Sequence, residues 1–114
     1  MLTNDPIDVV FGSQGAARVL LFLANYGEGY RAEIADAFEM SSSQVLKQLT
    51  KFEDVGLLES RTQGRTRIYS WKRGNPLVRD LRAFLEGILE RMPDDELLSR
   101  YRERRRPRRT GKEL

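Results

Sequence analysis

Ser41-Ser42-Ser43-Gln44 opens the segment that most constrains what this chain can become. A Ser at the N-cap with Gln three residues on is a capping box, in which two otherwise unpaired backbone donors are satisfied reciprocally. Val45, Leu49 and Phe52 then recur at i, i+4 and i+7, the spacing of one buried face of an α-helix. Gln44, Lys47, Gln48 and Lys51 fall on the other side, and such long donors reach base edges and phosphates. A solvated amphipathic helix has the same periodicity, so the flanking sequence decides its role. The helix is expected over residues 41–55, stopped by Gly56 as a left-handed C′ residue.

On the N-terminal side, Ile34, Ala35 and Phe38 mark the inward face of a helix over residues 31–38. Only Glu39 and Met40 separate it from the capping box, and two short helices joined so tightly form a helix-turn-helix. On the C-terminal side, Leu57-Leu58-Glu59-Ser60-Arg61-Thr62 reads as a strand and Arg65-Thr66-Arg67-Ile68-Tyr69-Ser70-Trp71 as its return. Gln63-Gly64 is the expected two-residue turn. Arg61, Arg65 and Arg67 cluster around that tip, with no acid between Glu59 and Asp80. Tyr69 and Trp71 are expected to pack the hairpin against the core.

The rest of the chain supports this unit. Residues 1–12 are a lead-in with a short helix starting near Pro6. Ser13 caps a helix over residues 14–25, whose Val19-Leu20-Leu21-Phe22-Leu23 run is apolar nearly all round, as a central helix must be. Gly27-Glu28-Gly29 is a turn, followed by a very short strand at Tyr30-Arg31. Asn75-Pro76 is an N-cap followed by Pro at the first helical position. Leu77, Leu81, Phe84, Leu85, Ile88 and Met92 then give one broad apolar face, with Arg79, Asp80, Arg82, Glu86 and Glu90 outside it. Asp94-Asp95-Glu96 suits the start of another short helix. Residues 102–114 read as a disordered basic arm.

Composition removes most chemistry. The 114 residues include neither Cys nor His, so thiolate and imidazole metal sites and Ser-His or Cys-His catalysis are not expected. No catalytic constellation, phosphate loop, metal site or cofactor site is found. Gly12-Ser13 is shared with nucleotidyltransferase motifs, but the acidic pair that should follow is missing. No apolar run approaches the roughly 20 residues that span a bilayer, and no signal peptide is evident, so the cytoplasm is the expected location. The net charge of +3 is uneven: residues 100–114 carry eight Arg and Lys against two Glu, and residues 1–99 twelve against fifteen acids. The basic tail, not the body, sets the overall charge.

Taken together, Glu33-Ile34-Ala35, Ser41-Ser42-Ser43-Gln44-Val45-Leu46-Lys47-Gln48-Leu49, Gly56-Leu57-Leu58 and Gly64-Arg65-Thr66-Arg67-Ile68-Tyr69 resemble prokaryotic winged helix-turn-helix transcriptional regulators of the ArsR-like group. The likeness covers about residues 14–72. It implies a mainly α fold with a small β-hairpin: a winged helix-turn-helix with an added C-terminal helix. It further implies that the 41–55 helix enters the major groove of double-stranded DNA, and that the wing at 57–71 lies on the backbone or in the minor groove. Ser42, Ser43, Gln44, Lys47, Gln48 and Lys51 on the helix, with Arg61, Arg65 and Arg67 on the wing, are the DNA-binding residues so expected. The Cys and His ligands of metal- and arsenic-sensing relatives are missing, so no metal response is expected.

Two positions depart from the family pattern. Glu39 replaces the usual turn glycine and is strained if φ is positive there. Leu46 replaces a small polar residue, and reads as core extension or, alternatively, as contact with a thymine methyl.

The expected organisation is a winged helix-turn-helix domain at 1–74, a C-terminal helical extension at 75–101 and a basic tail at 102–114. The 75–92 helix is the expected homodimer element, since many such regulators pair through a terminal helix. The alternative function is a winged helix that binds protein, such as an antitoxin or accessory subunit with a partner encoded nearby. A looser likeness of the Asn75-Pro76-Leu77 segment to small winged-helix proteins found beside nucleotidyltransferase-type toxins points the same way.

Overall fold

The computed structural model describes residues 6–93. Asp94-Asp95-Glu96, the short helix expected there and the 102–114 arm lie outside the described residues. The order of elements is α1 (Pro6–Phe11), α2 (Gln14–Tyr26), β1 (Glu28–Tyr30), α3 (Arg31–Phe38), α4 (Ser42–Asp54), β2 (Leu58–Gln63), β3 (Thr66–Trp71) and α5 (Pro76–Arg91). The strands form one antiparallel sheet in the order β1-β3-β2. The architecture is mainly helical with a hairpin and one added strand, as expected for a winged helix. No described helix is long and apolar enough to cross a membrane.

Helix α2 is the centre. The Ser13 hydroxyl accepts from the Ala16 N–H at 3.0 Å, and Gly27 ends the helix with φ 88° and its N–H on the Leu23 carbonyl. Ala16, Val19, Leu20 and Leu23 are inaccessible to solvent or nearly so. Ile34, Val45, Leu49, Leu58 and Leu85 from four other elements close around them in one cluster. The Trp71 indole N–H donates to the Leu23 carbonyl at 3.1 Å, which pins the root of the hairpin to α2. Gly29 lets β1 lie against α2: a Cβ there would meet a Phe22 ring carbon at 2.7 Å.

The helix-turn-helix rests on two helix ends of the same design. At the end of α4, the Leu57 N–H bonds the Phe52 carbonyl and the Gly56 N–H the Glu53 carbonyl. At the end of α3, the Met40 N–H bonds the Ala35 carbonyl and the Glu39 N–H the Asp36 carbonyl. Both are Schellman motifs, which require a left-handed C′ residue. Gly56 takes that conformation freely at φ 83°, whereas Glu39 is held at φ 57°, ψ 40°. Glu39 is the one non-glycine at positive φ among the described residues, and the strain expected from the sequence is present.

Three expectations are corrected. The short strand is Glu28–Tyr30 and not Tyr30-Arg31: Glu28 and Gly29, expected in a turn, pair with Ser70 and Tyr69 of β3, and Arg31 opens α3. The hairpin turn is Gly64-Arg65, because Gln63 pairs with Thr66 and stays in the strand. Positive φ at the first central residue alone is the demand of a type II′ turn, and Gly64 at 64° meets it. Helix α5 buries Val78, Leu85 and Leu89, while Leu77 and Phe84 are exposed at 60% and 48%. Its apolar surface is thus wider than the expected face. Val78, Leu85 and Leu89 face the core; Leu77, Leu81, Phe84 and Ile88, at i, i+4, i+7 and i+11, form a second stripe turned about 90° from the first.

Candidate nucleic-acid interface

The capping box of α4 forms as the sequence implies. The Gln44 N–H donates to Ser41 Oγ at 3.1 Å, and the Ser41 N–H donates to Gln44 Oε1 at 3.4 Å. Val45, Leu49 and Phe52 are buried, which turns Ser42, Ser43, Lys47, Thr50 and Lys51 to solvent. Lys47 and Lys51 stand one helical turn apart, with no carboxylate within ion-pair distance of either among the described residues. The Lys51 ammonium lies 5.1 Å from the Phe52 ring centroid, which keeps its stem along the helix.

The other α4 candidates are already engaged. The Gln44 carbonyl serves the capping box, and the Ser43 hydroxyl lies 3.4 Å from that of Ser41. Gln48 turns inward: a Cβ added to Gly15 on α2 would stand 3.9 Å from Gln48 Cγ and Nε2, and Gln48 Oε1 is buried without a hydrogen-bond partner. Leu46 is half-buried and belongs neither to the core cluster nor to the apolar residues packed on it. Thr50, three residues after Lys47, is an outward polar side chain that a search for long donors passes over.

Pairing in the hairpin separates the three arginines. Arg61 is opposite Ile68 and Arg67 opposite Thr62, so Arg61 and Arg67 project from opposite faces of the sheet. Arg61 donates to Glu28 Oε1 of β1 at 3.1 Å on the outer face. Arg67 donates to the Ser60 hydroxyl at 2.8 Å, and that hydroxyl donates to Glu53 Oε2 of α4 at 2.7 Å. This relay ties the last turn of the helix to the hairpin. Arg65 occupies the turn itself, exposed and without an internal partner among the described residues.

Tyr69 and Trp71 are buried and pack the hairpin on the core. Burial pushes the Tyr69 hydroxyl above its ordinary pKa, Glu53 pushes the same way, and Arg67 and Arg31 oppose them.

The structure therefore sorts the nine expected residues. Ser42, Lys47, Lys51 and Arg65 are outward and free of hydrogen-bonded or ionic partners; Ser43, Gln44, Gln48, Arg61 and Arg67 are held by internal contacts or turned in.

No protein-family model matches the sequence, and no curated protein matches it. Solved structures do resemble it. The predicted DNA-binding transcriptional regulator from E. coli gives a TM-score of 0.50 at 23% identity, over 62% of this chain and 75% of that one. The antimony-specific transcriptional repressor AntR gives 0.53 at 21% identity, over 75% and 76%. A mutant of Lactococcus lactis ZitR gives 0.53 at 19% identity, over 84% and 73%. At these identities the likeness concerns the fold alone, a winged helix.

Proposed function

We propose that this chain is a DNA-binding transcriptional regulator of ArsR-like type, with α4 in the major groove and the Gly64-Arg65 turn on the phosphate backbone. The observation that carries this reading is the pair Lys47 and Lys51 on the exposed face of α4, unpaired with acids, beside a hairpin whose turn presents Arg65. Phosphate contacts supply salt-sensitive affinity, while donors at base edges supply sequence preference. Ser42 and Thr50 widen the reading face. Gln48 contributes to base contact only if its amide swings outward. The likeness to regulators of known structure supports the same assignment. This reading gives the chain no enzymatic role and no cofactor.

The regulator acts as a homodimer through α5, joined by α1. Leu77, Leu81, Phe84 and Ile88 make a stripe of coiled-coil spacing on the flank of α5, with Leu77 and Phe84 exposed and Leu81 and Ile88 half-buried against the edge of the core. On α1, Val9 and Val10 are exposed, and Phe11 meets Phe84 with ring centroids 6.4 Å apart. A two-fold pair would place two α4 helices on half-sites about one turn of DNA apart. Immunoprecipitation of DNA bound to the protein, followed by sedimentation of the Leu77→Glu/Phe84→Glu variant, tests both parts. The reading requires enriched fragments carrying an inverted repeat and a monomeric variant with weakened binding. Recovery of no specific DNA would favour a protein-binding role.

A further inference from the structure

A cavity of about 400 Å³ lies where the end of β3 meets the first three turns of α5. It falls within the size range of small-molecule sites, about 300–1,000 Å³. Lys72, Arg73, Arg79 and Arg82 line it against a single acid, Glu86. Trp71 and Val78 supply apolar wall. This region plays no part in the proposed DNA contacts: Trp71 is the sixth and last residue of β3 after the hairpin turn, about 20 Å of extended chain away.

The cations differ in how far they are committed. Arg73 is held by Glu59 at 3.1 Å, outside the cavity lining. Arg79 is 3.8 Å from Asp80 and Arg82 3.9 Å from Glu86, both at the long limit of an ion pair. The Arg82 guanidinium sits 5.8 Å from the Trp71 ring centroid, and its Nε is buried with no hydrogen-bond acceptor. Lys72 has no acid within ion-pair distance among the described residues. A buried guanidinium N–H without an acceptor is costly, and a carboxylate or phosphate oxygen is the acceptor that best meets it. The start of α5 offers no spare donors: Pro76 has no N–H, the Leu77 N–H is taken by Asn75 Oδ1 and the Val78 N–H by the Asn75 carbonyl. Recognition must therefore come from the side chains.

We infer that this cavity binds a small organic anion, its carboxylate or phosphate held by Arg82, Arg79 and Lys72 and its apolar body set against Trp71 and Val78. The site joins the root of the wing to α5. An occupant would touch both elements without touching DNA. Binding at this site does not depend on the DNA-binding proposal and is measured without DNA.

Trp71 is the only tryptophan in the chain, so its fluorescence reports the site directly. The full-length protein is titrated with benzoate, phenyl phosphate and neutral benzamide, alongside the Arg79→Ala and Arg82→Gln variants. A saturable change with benzoate or phenyl phosphate, absent with benzamide and weakened about tenfold in either variant, supports the site. The stronger of the two anions identifies the headgroup. Arg79→Ala guards against misfolding, because that side chain is 81% exposed and its loss should leave thermal unfolding unchanged. No saturable response to either anion up to about 10 mM, an equal response to benzamide, or undiminished binding by both variants overturns the proposal.

Discussion

Helix α4 and the β2–β3 hairpin both bring basic side chains to the candidate DNA surface, but they hold them differently. Lys47 and Lys51 stand on one exposed helix face with no acid paired to them. In the hairpin, Arg61 is paired with Glu28 and Arg67 is bound through Ser60 to Glu53, so Arg65 alone is uncommitted. The difference follows from geometry. A helix places i and i+4 side chains on one face, whereas a strand alternates faces and delivers them to whatever lies on each side. A count of arginines in a hairpin therefore overstates the charge it can offer a phosphate. In this chain the hairpin uses two of its three arginines to join it to β1 and, through Ser60, to α4.

The largest effect expected from this contrast is on α4. Lys47→Ala should weaken binding to a preferred duplex by about tenfold or more, with the thermal unfolding midpoint unchanged, because it removes an exposed donor that the proposed docking brings to a base edge. Titration of labelled duplex by anisotropy measures it. Arg65→Ala should cost about three- to fivefold, equally for preferred and random duplexes, and lower the salt slope by about one. Arg61→Ala, by contrast, should change DNA affinity less than about twofold and stability by no more than about 0.5 kcal/mol, since its ion pair is half exposed. A larger effect there would break the contrast.

Two further substitutions probe the joints around α4. Ser60→Ala cuts the relay between Arg67 and Glu53 and should lower stability in chemical denaturation by about 1 kcal/mol. The freed Arg67 should leave DNA affinity the same or higher. Glu39→Gly relieves the left-handed strain at the end of α3, offset in part by the greater freedom of glycine in the unfolded chain. The net expected is a gain of about 0.5–1 kcal/mol without weaker DNA binding. Loss of stability would mean that Glu39 has a compensating role.

Much of the frame was legible in local sequence. The capping box at Ser41 and Gln44, the C′ glycine at Gly56, the Asn75-Pro76 helix start and the apolar run of α2 all depend on residues within a turn or two of each other. What escaped depends on distance. The Arg61–Glu28 pair spans 33 positions, and nothing near Arg61 announces it. On α5, apolar residues cover so wide an arc that spacing alone does not say which part meets α2: the broad face read from the sequence includes the exposed Leu77 and Phe84 and leaves out the buried Val78 and Leu89. Gly64 suits a turn at Gln63-Gly64 or at Gly64-Arg65, and only the pairing of Gln63 with Thr66 selects the second. Gln48 has the spacing of an outward residue, yet the close approach of Gly15 on α2 draws its amide in.

The most direct test of the account is the salt dependence of duplex binding by the wild-type protein and the Lys47→Ala/Arg65→Ala variant. The wild type should bind duplex DNA at about 50 mM salt, with log affinity falling linearly in log salt concentration. The double variant should keep its fold but show a slope smaller by about one to two. No measurable binding by the wild type at low salt, or the same slope in both proteins, would contradict it.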